Sequence, residues 1–266
     1  MERFDVPVGG TVLAGERRPG EGPPVVLLHA GVADRRVWHA MLEHLDGPVI
    51  AYDRRGFGET PPPSEPFTHV EDLLAVLDAA AAASAWLVGN SMGGAVALDA
   101  ALTAPERVAG LVLIGTAVSG EPDEDGLDAP TQRLVDALEA ADGIGETARL
   151  EAWLWLDGPA ANEGRVGGAA RELALAMNTI ALGYEAEGEA AGGAGIDAWA
   201  RLEEITAPAT VAWGELDVPV VIETSRAVAR RIPGARAVPI PGVAHLPSLE
   251  RPEELAALVQ ASTSGR

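Results

Sequence analysis

The chain has 266 residues, 40 of them acidic against 19 Lys and Arg, for a net charge of −21 and a pI near 4.5. That length suits one large domain, or a core carrying an inserted cap. The negative field argues against a nucleic-acid partner and mildly disfavours small dicarboxylate-type substrates. There is no cysteine, which excludes disulfide and thiolate chemistry. No segment approaches membrane-spanning length and the amino terminus has no basic start followed by an apolar run, so a soluble, cytoplasmic protein with no membrane partner is expected.

In chain order, residues 4–16 predict two short edge strands forming a hairpin around Gly9-Gly10. Short apolar runs follow at 25–29, 49–52, 86–89, 111–115, 210–213 and 237–240. Such runs suit parallel strands buried on both faces, and helical stretches separate most of them, as βαβ crossovers require. A helix is predicted over 37–45, carrying His39 and His44 on its face. Another spans 71–83 with Leu73, Leu74 and Leu77 in a stripe, and a third spans 92–103, with Gly93, Gly94, Ala95 and Ala97 placed for close packing on a sheet. The last helix begins near Pro252. The alternation breaks between about 121 and 198, where 131–141, 146–156 and 169–182 all have helical composition and no strand-like run occurs. The expected organisation is therefore a core at 1–120, a helical cap at 121–198 and the rest of the core at 199–266. The acidic, turn-rich stretch 121–126 and the Gly-rich stretch 187–195 bound the cap, the second reading as a hinge.

Gly89-Asn90-Ser91-Met92-Gly93 sits between an apolar strand and a helix rich in small residues. The pentapeptide alone is a weak signal; the strand-turn-helix setting makes Ser91 a candidate nucleophile exposed at a sharp turn. Side chains at 89 or 93 would collide with the neighbouring strand or helix, and the helix start aims free N–H groups and a positive dipole end at the hydroxyl. A serine hydroxyl needs a base and an orienting acid. Of five histidines, His245 lies in the loop between the last strand and the C-terminal helix, where such a base belongs. The acid should end the strand at 209–213, which is followed by Gly214-Glu215-Leu216-Asp217; spacing alone does not separate Asp217 from Glu215. His29 reads as a hydrogen-bonder bracing its loop, Asp53 and its Arg and Gly neighbours as turn chemistry, and His69 as a residue of a Pro-rich segment. No His/Cys/Asp/Glu cluster has metal spacing, and no Gly-x-Gly-x-x-Gly or phosphate-loop pattern occurs, so neither metal nor cofactor is expected.

Four segments in order resemble the α/β-hydrolase family: Val25-Val26-Leu27-Leu28-His29-Ala30-Gly31, Tyr52-Asp53-Arg54-Arg55-Gly56-Phe57-Gly58, Gly214-Glu215-Leu216-Asp217, and Val243-Ala244-His245 followed by Glu250-Arg251-Pro252. The resemblance implies a mostly parallel sheet flanked by helices with an inserted cap, and it selects Asp217 as the acid. It also implies an oxyanion hole from the backbone N–H groups of Met92 and Gly31, with Val32 the fallback, although Ala30 stands where the family usually has Gly. The cap segment Trp153-Leu154-Trp155-Leu156-Asp157-Gly158-Pro159 is similar to the 3-oxoadipate enol-lactonase-like branch of small carboxylesterases, and Gly89-Asn90-Ser91-Met92-Gly93-Gly94 to the elbow of C–C bond hydrolases of aromatic-ring catabolism. A serine at 91 argues against the dehalogenase and epoxide hydrolase branches, which carry aspartate there.

The expected activity is hydrolysis of a small-molecule ester or lactone through an acyl-enzyme. The alternatives are C–C cleavage, acyl transfer or perhydrolysis on the same residues, or a ligand receptor without turnover. Trp153, Trp155, Leu156, Met177 and Ile180 are candidates for an apolar pocket under the cap, most of them equally explained by helix packing. The sequence leaves the oligomeric state open.

Overall fold

A computed structural model describes residues 1–122, 126–187 and 196–264. The turn-rich stretch at 123–125 and most of the Gly-rich stretch, 188–195, read above as cap boundary and hinge, lie outside the described residues. Two-residue β1 (Glu2–Arg3) precedes β2 (Val6–Val8) and β3 (Thr11–Leu13), which form the expected hairpin around Gly9-Gly10 as a separate antiparallel pair. After β4 (Gly15–Arg18) come β5 (Val25–Leu28), β6 (Val49–Tyr52), β7 (Ala85–Asn90), β8 (Val108–Ile114), β9 (Ala209–Gly214) and β10 (Arg236–Ile240). Among the described residues these build one eight-stranded sheet, ordered β1-β4-β6-β5-β7-β8-β9-β10. All pairings from β6 to β10 are parallel; β4 alone runs against the rest, antiparallel to both β6 and the edge strand β1.

Alternation along the strands sorts the core into two faces, as a period of two requires. Val26 and Leu28 join Leu73, Leu98, Leu111 and Val228 on one side. Val25 and Leu27 join Trp38, Met41, Val112, Leu255 and Val259 on the other. Helices α2 (His69–Ala79), α3 (Met92–Thr103) and α7 (Pro219–Arg231) contribute to the first face. Helices α1 (His39–Leu42) and α9 (Pro252–Thr263) contribute to the second, with α8 (Pro247–Glu250) a short turn before α9. Between β8 and β9 stand α4 (Ala129–Glu139), α5 (Ile144–Ala152), a π-turn at Trp153–Asp157 and α6 (Gly168–Glu187). No described residue there is in a strand.

The helix expected over 37–45 is instead a 3₁₀ turn, Arg35–Trp38, running into the single turn of α1. The Asp34 side chain caps the 3₁₀ start by accepting from the Arg36 N–H. At the other end the Arg18 guanidinium takes the carbonyls of Leu42, Leu45 and Gly47, so those acceptors are satisfied without further helix. His39 stays on α1 and faces Glu16 at 2.7 Å, whereas His44 lies past the helix, exposed. Among the described residues no helix is long and apolar enough to cross a membrane, and no group of three or more His, Cys, Asp or Glu is arranged to hold a metal ion.

Candidate active site

The sheet order reverses at β5: the chain passes from β5 to β6 on one side, then returns to place β7 on the other. Loops leaving the carboxyl ends of β5 and β7 therefore diverge, which opens a crevice at this point. The β7 loop carries Ser91, whose φ of 54° and ψ of −118° lie in the left-handed half of backbone space. A residue other than glycine held there stores strain of order 1–3 kcal/mol, sustained only by firm surroundings. Those surroundings are explicit. A Cβ at Gly89 would overlap the Gly93 carbonyl, and one at Gly93 would overlap the Leu28 carbonyl, so strand, turn and helix meet at backbone contact. The Ser91 N–H donates to the Ile114 carbonyl at 3.0 Å, and its own carbonyl accepts from Gly94, Ala95 and Ala117.

One residue past β8, Gly115 adopts a φ of +48° and flanks the candidate base and acid. A Cβ there would stand 3.0 Å from His245 Nδ1 and 3.1 Å from Asp217 Oδ2. His245 Nδ1 and Asp217 Oδ2 are themselves 2.7 Å apart, both side chains almost wholly buried. Asp217 is fixed further by accepting the Val218 N–H on Oδ1 at 2.7 Å. A carboxylate only accepts, so this contact puts the imidazole proton on Nδ1 and leaves Nε2 as the basic nitrogen. Glu215, the competing acid, is exposed, while Asp217 turns inward onto the histidine.

The His245 peptide is held at both ends. Its N–H donates to the Trp155 carbonyl at 3.1 Å, and its carbonyl accepts from Asn90 Nδ2 at 3.1 Å, which also donates to Ile114 O at 2.9 Å. Asn90, the residue before Ser91, thus ties the serine turn to the histidine loop across 155 residues of sequence.

Gly31 lies against Met92: a Cβ at 31 would come within 2.7 Å of the Met92 sulfur. Met92 opens α3, whose first N–H groups have no partner within the helix. The loop bearing Gly31 is braced from below. His29 is fully buried, donates Nδ1–H to the Ala30 carbonyl at 2.8 Å and accepts the Arg54 N–H on Nε2 at 3.1 Å. Arg54 Nη2 also holds the His29 carbonyl at 3.0 Å. Burial first, and the Arg54 charge second, keep His29 well below the usual imidazole range, so it stays neutral as this geometry needs. Ala30 fits without strain on the loop, its methyl buried in the apolar face beneath. Asp53 ties the next turn, accepting the Arg35 and Glu59 N–H groups and pairing with the Arg35 guanidinium.

The pocket candidates divide. Trp155 stacks obliquely on His245 with ring centroids 4.7 Å apart. Trp153 turns into the helices of the insertion, packing near Leu134, Leu150 and Leu154 and donating Nε1–H to Ala161 O. Leu156 and Met177 are fully buried in the second core face, and Ile180 is half-buried on α6. A small cavity of about 10 Å³ lies between the insertion and the loops that carry Gly31 and His245, lined by Val32, Glu151, Ala152, Trp155, Ala174, Asn178 and Leu246. A larger one of about 160 Å³ sits at the opposite, amino edge of the sheet beside Pro24, Pro48 and Ala81, remote from Ser91.

Sequence reasoning passes over the stem of the insertion. Asp157, fully buried, accepts the N–H groups of Gly164 and Val166 and pairs with Arg171 at 2.7 Å. Arg165 holds the carbonyls of Leu156 and Asp157 and pairs with Glu250, whose other oxygen accepts the Ala244 N–H next to His245. The only local signal was the Leu156-Asp157-Gly158-Pro159 turn, since the partners lie far along the chain.

A model of the alpha/beta hydrolase fold matches residues 23–252. The chain is 30% identical over 273 residues to rhodomycin D methylesterase DnrP of Streptomyces peucetius, with 90% of each chain covered. It is 39% identical over 119 residues to 2-hydroxymuconate semialdehyde hydrolase of Pseudomonas sp. (strain CF600), a match covering 41% of this chain and 42% of that enzyme. Among solved structures, a thermophilic esterase from Thermogutta terrifontis, with malate bound, superposes with a TM-score of 0.78 at 28% identity, covering 100% of this chain and 99% of that one. With the switch-point crevice, the serine turn and the parallel sheet in place, the chain belongs to the α/β-hydrolase fold family.

Proposed function

We propose that this protein is a serine hydrolase of carboxylic esters or lactones. His245 Nε2 takes the Ser91 hydroxyl proton as Oγ attacks the substrate carbonyl carbon. Asp217 holds the Nδ1–H and offsets the charge of the imidazolium. The carbonyl oxygen becomes an oxyanion held by the backbone N–H groups of Met92 and Gly31, each such donor being worth about 2.7–4 kcal/mol in the transition state. The imidazolium returns its proton to the leaving alkoxide as the C–O bond breaks, giving an acyl-enzyme and free alcohol. Water, deprotonated by the same nitrogen, then attacks the acyl carbon, and Ser91 leaves with the proton. The helices between β8 and β9 form the cap that sets specificity.

The observation that carries this reading is Ser91 itself. A strained serine at a backbone-tight turn, tied through Asn90 to the loop of a buried His–Asp pair, has no structural purpose that a glycine would not serve better. The full-length likeness to a methylesterase favours an ester as substrate. A second reading, cleavage of a C–C bond in a vinylogous diketone, draws on the partial match to the semialdehyde hydrolase.

Hydrolysis of p-nitrophenyl esters of increasing acyl length, by wild type and Ser91→Ala, tests the proposal. Turnover should fall at least about 10³-fold in the variant, and the length optimum sizes the acyl site. Turnover indifferent to the substitution would rule the proposal out. Cleavage of a diketone alone would select the second reading.

A further inference from the structure

The small cavity beside the candidate site carries a polar pair that neither core packing nor the hydrolytic steps use. Its walls come from three places that matter chemically: Val32 next to Gly31, Leu246 next to His245, and Trp155, which lies over the His245 ring. Into this otherwise apolar space the cap contributes Glu151 from α5 and Asn178 from α6. Asn178 Nδ2 donates to Glu151 Oε2 at 2.5 Å, an interaction that joins the two helices and fixes the carboxylate. One amide N–H is used on Glu151 and one remains, while the carboxylate only accepts, so the pair presents acceptor oxygen carrying a negative charge beside a single neutral donor. None of the residues lining the cavity is cationic, and the further charge that acts on Glu151 is another carboxylate, Glu185. Burial raises the Glu151 carboxyl above the ordinary range, the Asn178 bond opposing it.

A half-buried carboxylate held against tryptophan and aliphatic walls is costly unless something donates to it. Among the described residues Asn178 is its one donor and no cation pairs with it: Arg171 goes to Asp157 and Arg149 to Glu163. The space left is about 10 Å³, which fits a group the size of a water molecule. We propose that Glu151 and Asn178 form the specificity site for a terminal donor group on the substrate, preferring a primary ammonium to an alkyl end and rejecting a carboxylate. The inference rests on the serine-hydrolase reading and adds a substrate class to it: esters ending in a small, donor-bearing group.

Three p-nitrophenyl esters of similar length separate the outcomes: 6-aminohexanoate, heptanoate and the adipate half-ester. In wild type, kcat/KM should fall in that order, with the ammonium ester favoured over the alkyl ester about tenfold, mainly through KM, the size of one charge-assisted contact. Glu151→Gln keeps the shape and an acceptor for Asn178 but removes the charge, and should bring the ammonium-to-alkyl ratio to near one. Asn178→Ala, which frees the carboxylate, should reduce that ratio less. Thermal unfolding of both variants checks that the fold is kept, and because the readout is a ratio within each variant, a uniform loss of activity does not mimic the effect. An equal ratio in wild type and Glu151→Gln, or a wild-type preference for the adipate ester, would overturn the inference and leave the hydrolase reading standing. Absence of hydrolysis for all three esters would overturn that reading and the inference with it.

Discussion

Asn90 shows how much one side chain can carry in this site. Its amide joins the end of β8 to the carbonyl of His245, so the base and the serine turn share one anchor. Asn90→Ala leaves the His245 carbonyl without its donor and the Ile114 carbonyl with the Ser91 N–H alone, a loss of about 1–3 kcal/mol in local order. Steady-state kinetics on a p-nitrophenyl ester should show kcat down about 10- to 100-fold with KM little changed, because the base moves while the binding walls stay. A pure KM effect would contradict the role given to Asn90. Asp99, on α3, makes a different point. One of its oxygens accepts from Ser119 at 2.9 Å, the other is buried without a partner, and burial raises its pKa to about 6. A folded-state value above the unfolded one means that the folded protein holds the proton more tightly. The cost is therefore absent below about pH 4, grows as the pH rises from 4 to 6, and is complete above about 6. Asp99→Asn should stabilise the protein by about 1–2 kcal/mol at pH 7.5 and by about a third of that at pH 4.5, read from denaturant unfolding at both pH values. A gain equal at both would show that charge is not the cause.

At the level of elements, the serine turn is the tightest junction in the fold. Gly93 opens onto the Leu28 carbonyl and Gly94 onto the Thr116 side chain, so α3 sits on β5 and on the loop after β8 at backbone distance. Gly93→Ala has no flexible neighbour to displace, and should lower stability by on the order of 2–4 kcal/mol, measured as a shift in the denaturation midpoint. An unchanged midpoint would mean that α3 can slide, which the packing argument denies. This junction was legible in the sequence because its causes are local: an apolar strand, two glycines four apart and a run of small residues. The doubly buried strands were legible for the same reason, their apolar runs matching β5 to β9 within a few residues at each end, whereas β10, expected to be buried on both faces, is an edge strand with only Ile240 buried. The short turns at 35–42 were not. Arg18 ends them by taking three carbonyls from another strand's position, and no local pattern encodes that. The choice between Glu215 and Asp217 likewise needed the family resemblance, since two carboxylates two residues apart differ only in which way the loop turns them.

For the molecule as a whole, the insertion between β8 and β9 does more than cover the sheet edge. Its stem is tied to the histidine loop through Trp155 O and through Arg165 with Glu250, and to the Asp217 loop through Gly158 packed on the Leu216 carbonyl. The stem is thus continuous with the loops of His245 and Asp217, and contacts of this kind, between residues 58 or more apart, lie beyond sequence reading. The strain at Ser91, the Asn90 anchor and the paired His245 and Asp217 all make sense if one hydroxyl is the nucleophile. The most direct test is reaction with a fluorophosphonate, followed by intact-mass measurement and peptide mapping. The expected result is one adduct per chain, on the peptide holding Ser91, absent from Ser91→Ala and slowed in Asn90→Ala. Labelling elsewhere, or none in a folded wild-type protein, would contradict the account.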